Sequence, residues 1–118
     1  MKIVMVGSGY VGLVSGICFA EFGFETVCVD KDQSRLNSIR KGICPFFEPG
    51  IDELLTKHLN STKHLTLSSD LASAVQQANI IFITVGTPTR RLENEADLSA
   101  VFDVAMEISS NIKDYSIV

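Results

Sequence analysis

No apolar run in this sequence approaches the ~20 residues that a membrane span requires. No basic stripe is present either: 10 Lys and Arg stand against 14 Asp and Glu, a formal charge of −4. That balance argues against a nucleic-acid partner, whose binding needs clustered positive charge. Cysteine is sparse. Cys18, Cys28 and Cys44 form no CxxC pair and fall on a predicted helix, a predicted strand and a loop. Neither a disulfide framework nor a zinc site is expected from them, and a reducing cytoplasm is the expected compartment. Internal repeats and low-complexity segments are missing too. The N-terminus reads as a working strand with one lysine before it, not as a signal peptide. What remains is an ordinary globular composition, 46% hydrophobic and 20% charged over 118 residues. That length allows one domain at most, burying about two-thirds of its extended-chain surface.

Against that background one stretch stands out, Gly7-Ser8-Gly9-Tyr10-Val11-Gly12. It follows the apolar run Ile3-Val4-Met5-Val6 and leads into a second, residues 11–22, dotted with small side chains. A strand, a glycine turn and a helix start in that order open a dinucleotide-binding βαβ unit. Gly7 permits the tight turn out of the strand, and Gly9 has no side chain to hold a pyrophosphate off the backbone. Gly12 lets the helix press against the sheet. First-turn N–H groups lack partners inside a helix, so they can face phosphates, helped by the positive end of the dipole. Glycines serving only a tight strand-to-helix turn are the alternative.

The next strand bears on that choice. Residues 25–30 read as a strand closing on Asp30, 18 positions beyond Gly12. A carboxylate there can accept hydrogen bonds from both hydroxyls of an adenine ribose, and it would repel a 2′-phosphate, favouring NAD over NADP. Such charged hydrogen bonds contribute roughly 1.5–3 kcal/mol each. Asp30 could instead cap the following helix, although Asp32 or Ser34 would serve that purpose equally well. Arg35, one turn into that helix, either covers the adenosine end or is a solvated helix charge.

The remaining elements follow from periodicity. Residues 2–6 form the first strand and residues 10–22 a helix with Val11, Val14 and Cys18 on one stripe, ended by Gly23. Leu36 and Ile39 give the next helix its buried side, and Lys41-Gly42 closes it. Residues 43–50 form a rigid loop with two prolines and two adjacent phenylalanines. Ile51, Leu54, Leu55 and Leu59 then mark a helix. His58 and His64 read as surface or helix-end histidines. Residues 65–68 make the third strand, and Asp70 caps a short helix with Leu71, Ala74, Val75 and Ala78 on one face. Residues 79–85 are the strongest strand signal, expected beside the first strand on its far side. The loop after it, from Val85 through Gly86, Thr87, Pro88 and Thr89, faces the nicotinamide half of a cofactor or is a plain turn. Residues 90–96 are polar and expected to be mobile. Asp97 or Ser99 caps a last helix lined by Val101, Ala105, Ile108 and Ile112, and residues 115–118 start another strand. The predicted class is α/β, a Rossmann-type doubly wound parallel sheet in the order 3-2-1-4-5, cut at or near the fifth strand. No carboxylate pair, Cys–His pair or metal cluster is in view. The chain reads as the cofactor half of an enzyme.

These motifs together resemble the UDP-glucose/GDP-mannose 6-dehydrogenase family. The resemblance runs through Gly7-Ser8-Gly9-Tyr10-Val11-Gly12-Leu13-Val14, Val29-Asp30-Lys31-Asp32, Pro45-Phe46-Phe47-Glu48-Pro49-Gly50-Ile51, Val85-Gly86-Thr87-Pro88 and Ala96-Asp97-Leu98-Ser99. The first motif is common to many Rossmann proteins; the Glu-Pro-Gly and Gly-Thr-Pro loops are more specific. The resemblance implies NAD as cofactor. It implies that Gly7, Gly9, Tyr10, Val11 and Gly12 hold the pyrophosphate, that Asp30 and Arg35 hold the adenosine ribose, and that Val85, Gly86 and Thr87 lie nearer the nicotinamide. It further implies a cytoplasmic, homodimeric enzyme that oxidises the sugar C6 alcohol to a carboxylate with two NAD, through a cysteine-linked thiohemiacetal and thioester. UDP-glucose is the expected substrate, with GDP-mannose or a UDP-N-acetylhexosamine as alternatives. The family's catalytic cysteine, lysine and asparagine belong to downstream motifs, so no catalytic residue is assigned in this chain, and Cys18, Cys28 and Cys44 do not inherit that role. The segment Arg90-Arg91-Leu92-Glu93-Asn94-Glu95 departs from the family pattern, and nothing is carried onto it. A non-catalytic NAD-sensing domain, of the kind that gates ion channels, is the reading from another class; the two loops speak against it.

Overall fold

Ile3, Val4, Met5 and Val6 are all buried, as a strand covered on both faces must be. They belong to β1 (Lys2–Val6) in a computed structural model that describes residues 1–89 and 95–118. The elements that follow are α1 (Tyr10–Glu21), β2 (Glu25–Val29), α2 (Gln33–Arg40), α3 (Ile51–Thr56), β3 (Leu65–Ser68), α4 (Leu71–Val75), β4 (Ile80–Ile83) and α5 (Ser99–Asn111). The four strands are parallel in the order β3-β2-β1-β4. Sequence alternation decides what lies on each side, because successive strand residues point to opposite faces. Ile3 and Met5 join Leu13, Ile17, Cys28, Ile39 and Leu55 in one core. Val4 and Val6 join Val27, Val29, Val75, Ile81 and Ile108 in the other. The sheet is thus covered by α1 to α3 on one face and by α4 and α5 on the other.

The expected fifth strand contributes one parallel bridge, Ile117 to Ile80, on the edge of β4 that faces away from β1. Ile117 accepts from the Ile81 N–H at 2.8 Å and donates to the Asn79 carbonyl at 3.0 Å. Two strands are shorter than expected: β2 ends at Val29 rather than at Asp30, and β4 runs Ile80–Ile83 rather than over residues 79–85, so Asp30 and Val85 lie in the turns beyond. The buried stripe of α1 is Leu13, Ile17 and Ala20 rather than Val11, Val14 and Cys18; Val11 and Cys18 are exposed. That helix is apolar on nearly every side, so spacing alone does not choose its face. Asp32 is the N-cap of α2, its carboxylate accepting from the Arg35 N–H at 3.0 Å, which leaves Asp30 for other work. Asp70 caps α4 as expected. The last helix differs: Leu98 occupies its N-cap position without a side-chain cap bond, while the Asp97 carboxylate accepts from the Ser99 N–H at 3.0 Å. Of the polar stretch 90–96, residues 90–94 lie outside the described residues. Among the described residues no helix is long and apolar enough to cross a membrane.

One histidine corrects the surface reading. His58 is 1% exposed, inside a π-helical turn (Lys57–Ser61) that continues α3. Its Nε2 stands 2.6 Å from the Glu21 carboxylate and its Nδ1 2.9 Å from the Thr62 hydroxyl. Lys57 reaches the same carboxylate at 2.7 Å, so the end of α1 is pinned to the end of α3. Hydrogen bonds from Lys57 and then His58 hold the Glu21 carboxyl below its ordinary pKa, against a smaller opposing effect of desolvation. His58→Ala removes a filled core position as well as this pin, and is expected to cost about 2–4 kcal/mol. A thermal melt within a degree of the unsubstituted chain would contradict that role.

Candidate cofactor-binding site

β1 leaves the sheet through Gly7, whose φ of +105° is a conformation that side chains rarely adopt. A Cβ there would also meet the Thr84 carbonyl oxygen at 2.7 Å. Gly12 sits directly beneath: a Cβ on it would run into the Gly7 carbonyl oxygen and stand 2.5 Å from the Thr84 hydroxyl. α1 can therefore lie this close to the strand ends only with glycine at both positions. Gly9, the N-cap of α1, brings no side chain to the N–H groups of the first turn. Apart from its own chain neighbours, a Cβ on Gly9 would meet nothing within 4 Å.

Above this turn opens a cavity of about 830 Å³. Gly7, Gly9, Asp30, Arg35, Val85 and Gly86 line it. Asp103 and Glu107 of α5 line it as well. The other expected residues lie around rather than in it. Tyr10 and Val11 are exposed on the first turn of α1, Gly12 is buried, and Thr87 is exposed on the loop between Gly86 and Pro88. The cavity thus gathers the carboxyl ends of β1, β2 and β4, at the place where the strand order reverses.

Asp30 is the electrostatic centre. It is 7% exposed, and its Oδ2 accepts from the Ser8 N–H at 2.8 Å, the Ser8 hydroxyl at 2.7 Å and the Arg35 guanidinium at 2.9 Å. Oδ1 accepts from the Asp32 N–H at 2.9 Å. Burial alone would raise the pKa of this carboxyl. The hydrogen bonds from Ser8, Asp32 and Arg35 outweigh it, and the group stays below its ordinary value. The carboxylate therefore ties the glycine turn, β2 and α2 into one unit. Ser8 and Thr84 were not singled out by spacing. Ser8 is fully buried, and the Thr84 hydroxyl lies 2.9 Å from the Val6 carbonyl and 3.0 Å from that of Gly7. A small hydroxyl between the first two glycines, and a polar residue ending an apolar strand, were the available signals.

A sequence model described as the NAD binding domain of the UDP-glucose/GDP-mannose dehydrogenase family matches residues 1–118. The chain belongs to that family. NAD is the cofactor of this domain. Among its relatives, a UDP-glucose 6-dehydrogenase of Rhizobium meliloti is 48% identical over 118 residues, covering 100% of this chain and 27% of that protein. A second, from Bacillus subtilis, is 42% identical over 117 residues, covering 99% and 25%. A solved ternary complex of GDP-mannose dehydrogenase from Pseudomonas aeruginosa superposes with a TM-score of 0.85 at 34% identity, over 92% of this chain and 24% of the other. The chain spans about a quarter of the length of the dehydrogenases it matches. The family assignment fits the site: the room that Gly9 leaves free and the uncapped first turn of α1 suit a phosphate group, and Asp30 keeps lone pairs on Oδ1 for a hydroxyl donor.

Proposed function

We propose that residues 1–118 form the NAD-binding domain of a nucleotide-sugar 6-dehydrogenase, and that the whole enzyme takes UDP-glucose, two NAD and water to UDP-glucuronate and two NADH. The observation that carries the reading is the Asp30 carboxylate, buried beside the glycine turn in the lining of the cavity and held by Ser8 and Arg35. Gly7, Gly9 and Gly12 bring the backbone close to the pyrophosphate, and the N–H groups of Tyr10 and Val11 donate to it at the positive end of α1. Asp30 takes a ribose hydroxyl through Oδ1, since Oδ2 already has three donors. Arg35, held by Asp30 at 2.9 Å, flanks the adenosine and is not free to welcome a 2′-phosphate. Val85, Gly86 and Thr87 lie towards the nicotinamide. Bound there, NAD supplies the acceptor for a hydride from the sugar alcohol.

UDP-glucose is favoured as substrate because the relatives at 48% and 42% identity are UDP-glucose 6-dehydrogenases. The catalytic residues are assigned outside residues 1–118. Burial, with the neighbouring Asp30 charge, pushes the Cys28 thiol up to about 12; burial and Asp52 do the same for Cys44, also to about 12. Neither offers a thiolate near neutral pH, and Cys18 lies on α1 away from the cavity lining. All three thiols are free, which supports a reducing cytoplasm, and the family resemblance supports a homodimer. With NAD and UDP-glucose added, the 118-residue chain is expected to bind NAD and form no NADH, followed by absorbance at the reduced nicotinamide band. Measurable NADH formation would overturn the placement of catalysis elsewhere.

A further inference from the structure

The loop of residues 43–50 is the most distinctive stretch that the cofactor site leaves unused. Its Glu48 carboxylate accepts a hydrogen bond from the Tyr10 hydroxyl at 2.7 Å. Phe46 sets its ring edge-on to the Tyr10 ring, with centroids 4.8 Å apart. Phe46 in turn packs on the core beneath α1. Beyond it, Gly50 (φ +82°) starts α3, and the Glu48 carbonyl accepts from the Ile51 N–H at 3.1 Å. The loop is therefore anchored at its far end and closes on Tyr10 at its near end. The Glu48 contact also raises the pKa of the Tyr10 phenol, by the hydrogen bond first and the charge second, so it stays a donor throughout the working range.

Tyr10 is the first residue of α1, directly after Gly9, an N-cap that offers no side-chain bond. Glycine loses more backbone freedom on ordering than any other residue, and a ligand that must complete the ordering of a turn built on it binds more weakly. We propose that Glu48 and Phe46 are positioning residues that clamp the Tyr10 side chain and so hold the first turn of α1 ready for the pyrophosphate. The proposal rests on the NAD reading above and adds to it the residues that preorganise the phosphate end of the site. Neither side chain touches the cofactor; both act through Tyr10.

Calorimetric titration of the chain with NAD, ADP-ribose and adenosine tests this. Glu48→Ala and Tyr10→Phe are each expected to weaken NAD and ADP-ribose by about three- to tenfold, with the double variant little worse than either. Adenosine, held at the Asp30 end, should bind unchanged. Glu48→Gln keeps an acceptor for the hydroxyl and should recover most of the affinity, and both it and Tyr10→Phe retain the ring contact that supports folding. Affinities within twofold of the unsubstituted chain for both Glu48→Ala and Tyr10→Phe would overturn the clamp, as would an equal loss for adenosine. No binding of NAD by the unsubstituted chain would instead overturn the cofactor reading, and the clamp with it.

Discussion

Asp30→Ala is expected to weaken NAD binding by roughly 1–3 kcal/mol, about five- to 150-fold, and to narrow the preference over NADP. Two effects add. The ribose loses a charged acceptor, and Arg35, released from its 2.9 Å contact, becomes available to a 2′-phosphate. The substitution also strips the buried Ser8 of the acceptor for both its N–H and its hydroxyl, which costs about 1–3 kcal/mol of stability on its own account. Titrations with NAD and NADP well below the variant's melting temperature separate the two losses. An unchanged NAD affinity would reduce Asp30 to a clasp between Ser8 and Arg35. Acid makes the same point without a mutation. The folded-state pKa of Asp30 lies below its ordinary value of 3.8, so its stabilising contribution is complete above that value and is lost as pH falls through the lower, folded-state pKa.

Gly12→Ala has the larger expected effect on the fold. The added methyl would overlap the Gly7 carbonyl oxygen and stand 2.5 Å from the Thr84 hydroxyl. The first obstacle is backbone at the tightest point of the turn, so relief requires α1 to move off β1. Overpacking costs of about 1–3 kcal/mol arise where side chains can give way; here the cost should reach the upper end or exceed it. Any chain that still folds should lose the close approach of α1 to the cavity and with it measurable NAD binding. Gly9→Ala is the control: with nothing beyond its chain neighbours within 4 Å of the new methyl, the melt should barely change while the pyrophosphate is crowded. A Gly12→Ala chain with unaltered melting and NAD affinity would contradict the packing described for α1.

Much of the site was legible in the order of residues because short-range chemistry fixes it. A glycine turn after a buried strand and a carboxylate closing the next strand constrain each other through the βαβ connection, and Asp30 stands beside Gly7 and Gly9 as that connection requires. The burial of Leu36, Ile39, Leu71, Ala74, Val75 and Ala78 likewise follows from helical period. Other features depend on distance along the chain. The Tyr10–Glu48 bond joins residues 38 apart, and no local pattern announces it. The face of α1 was ambiguous because apolar side chains surround it. His58 was readable after all: it continues the stripe of Ile51 and Leu55, but a polar side chain on an apolar stripe needs its partner, Glu21, before burial makes sense.

The central claim is that the glycine turn and Asp30 together hold the adenosine diphosphate end of NAD. Amide chemical shifts of the labelled chain, followed while NAD is added, test it most directly. The account predicts saturable shifts concentrated at Ser8, Gly9, Tyr10, Val11, Gly12, Asp30 and Arg35, with His58 and its neighbours at the opposite end of α1 unmoved. Saturable shifts confined to other surfaces, or none at all up to saturating NAD, would contradict it.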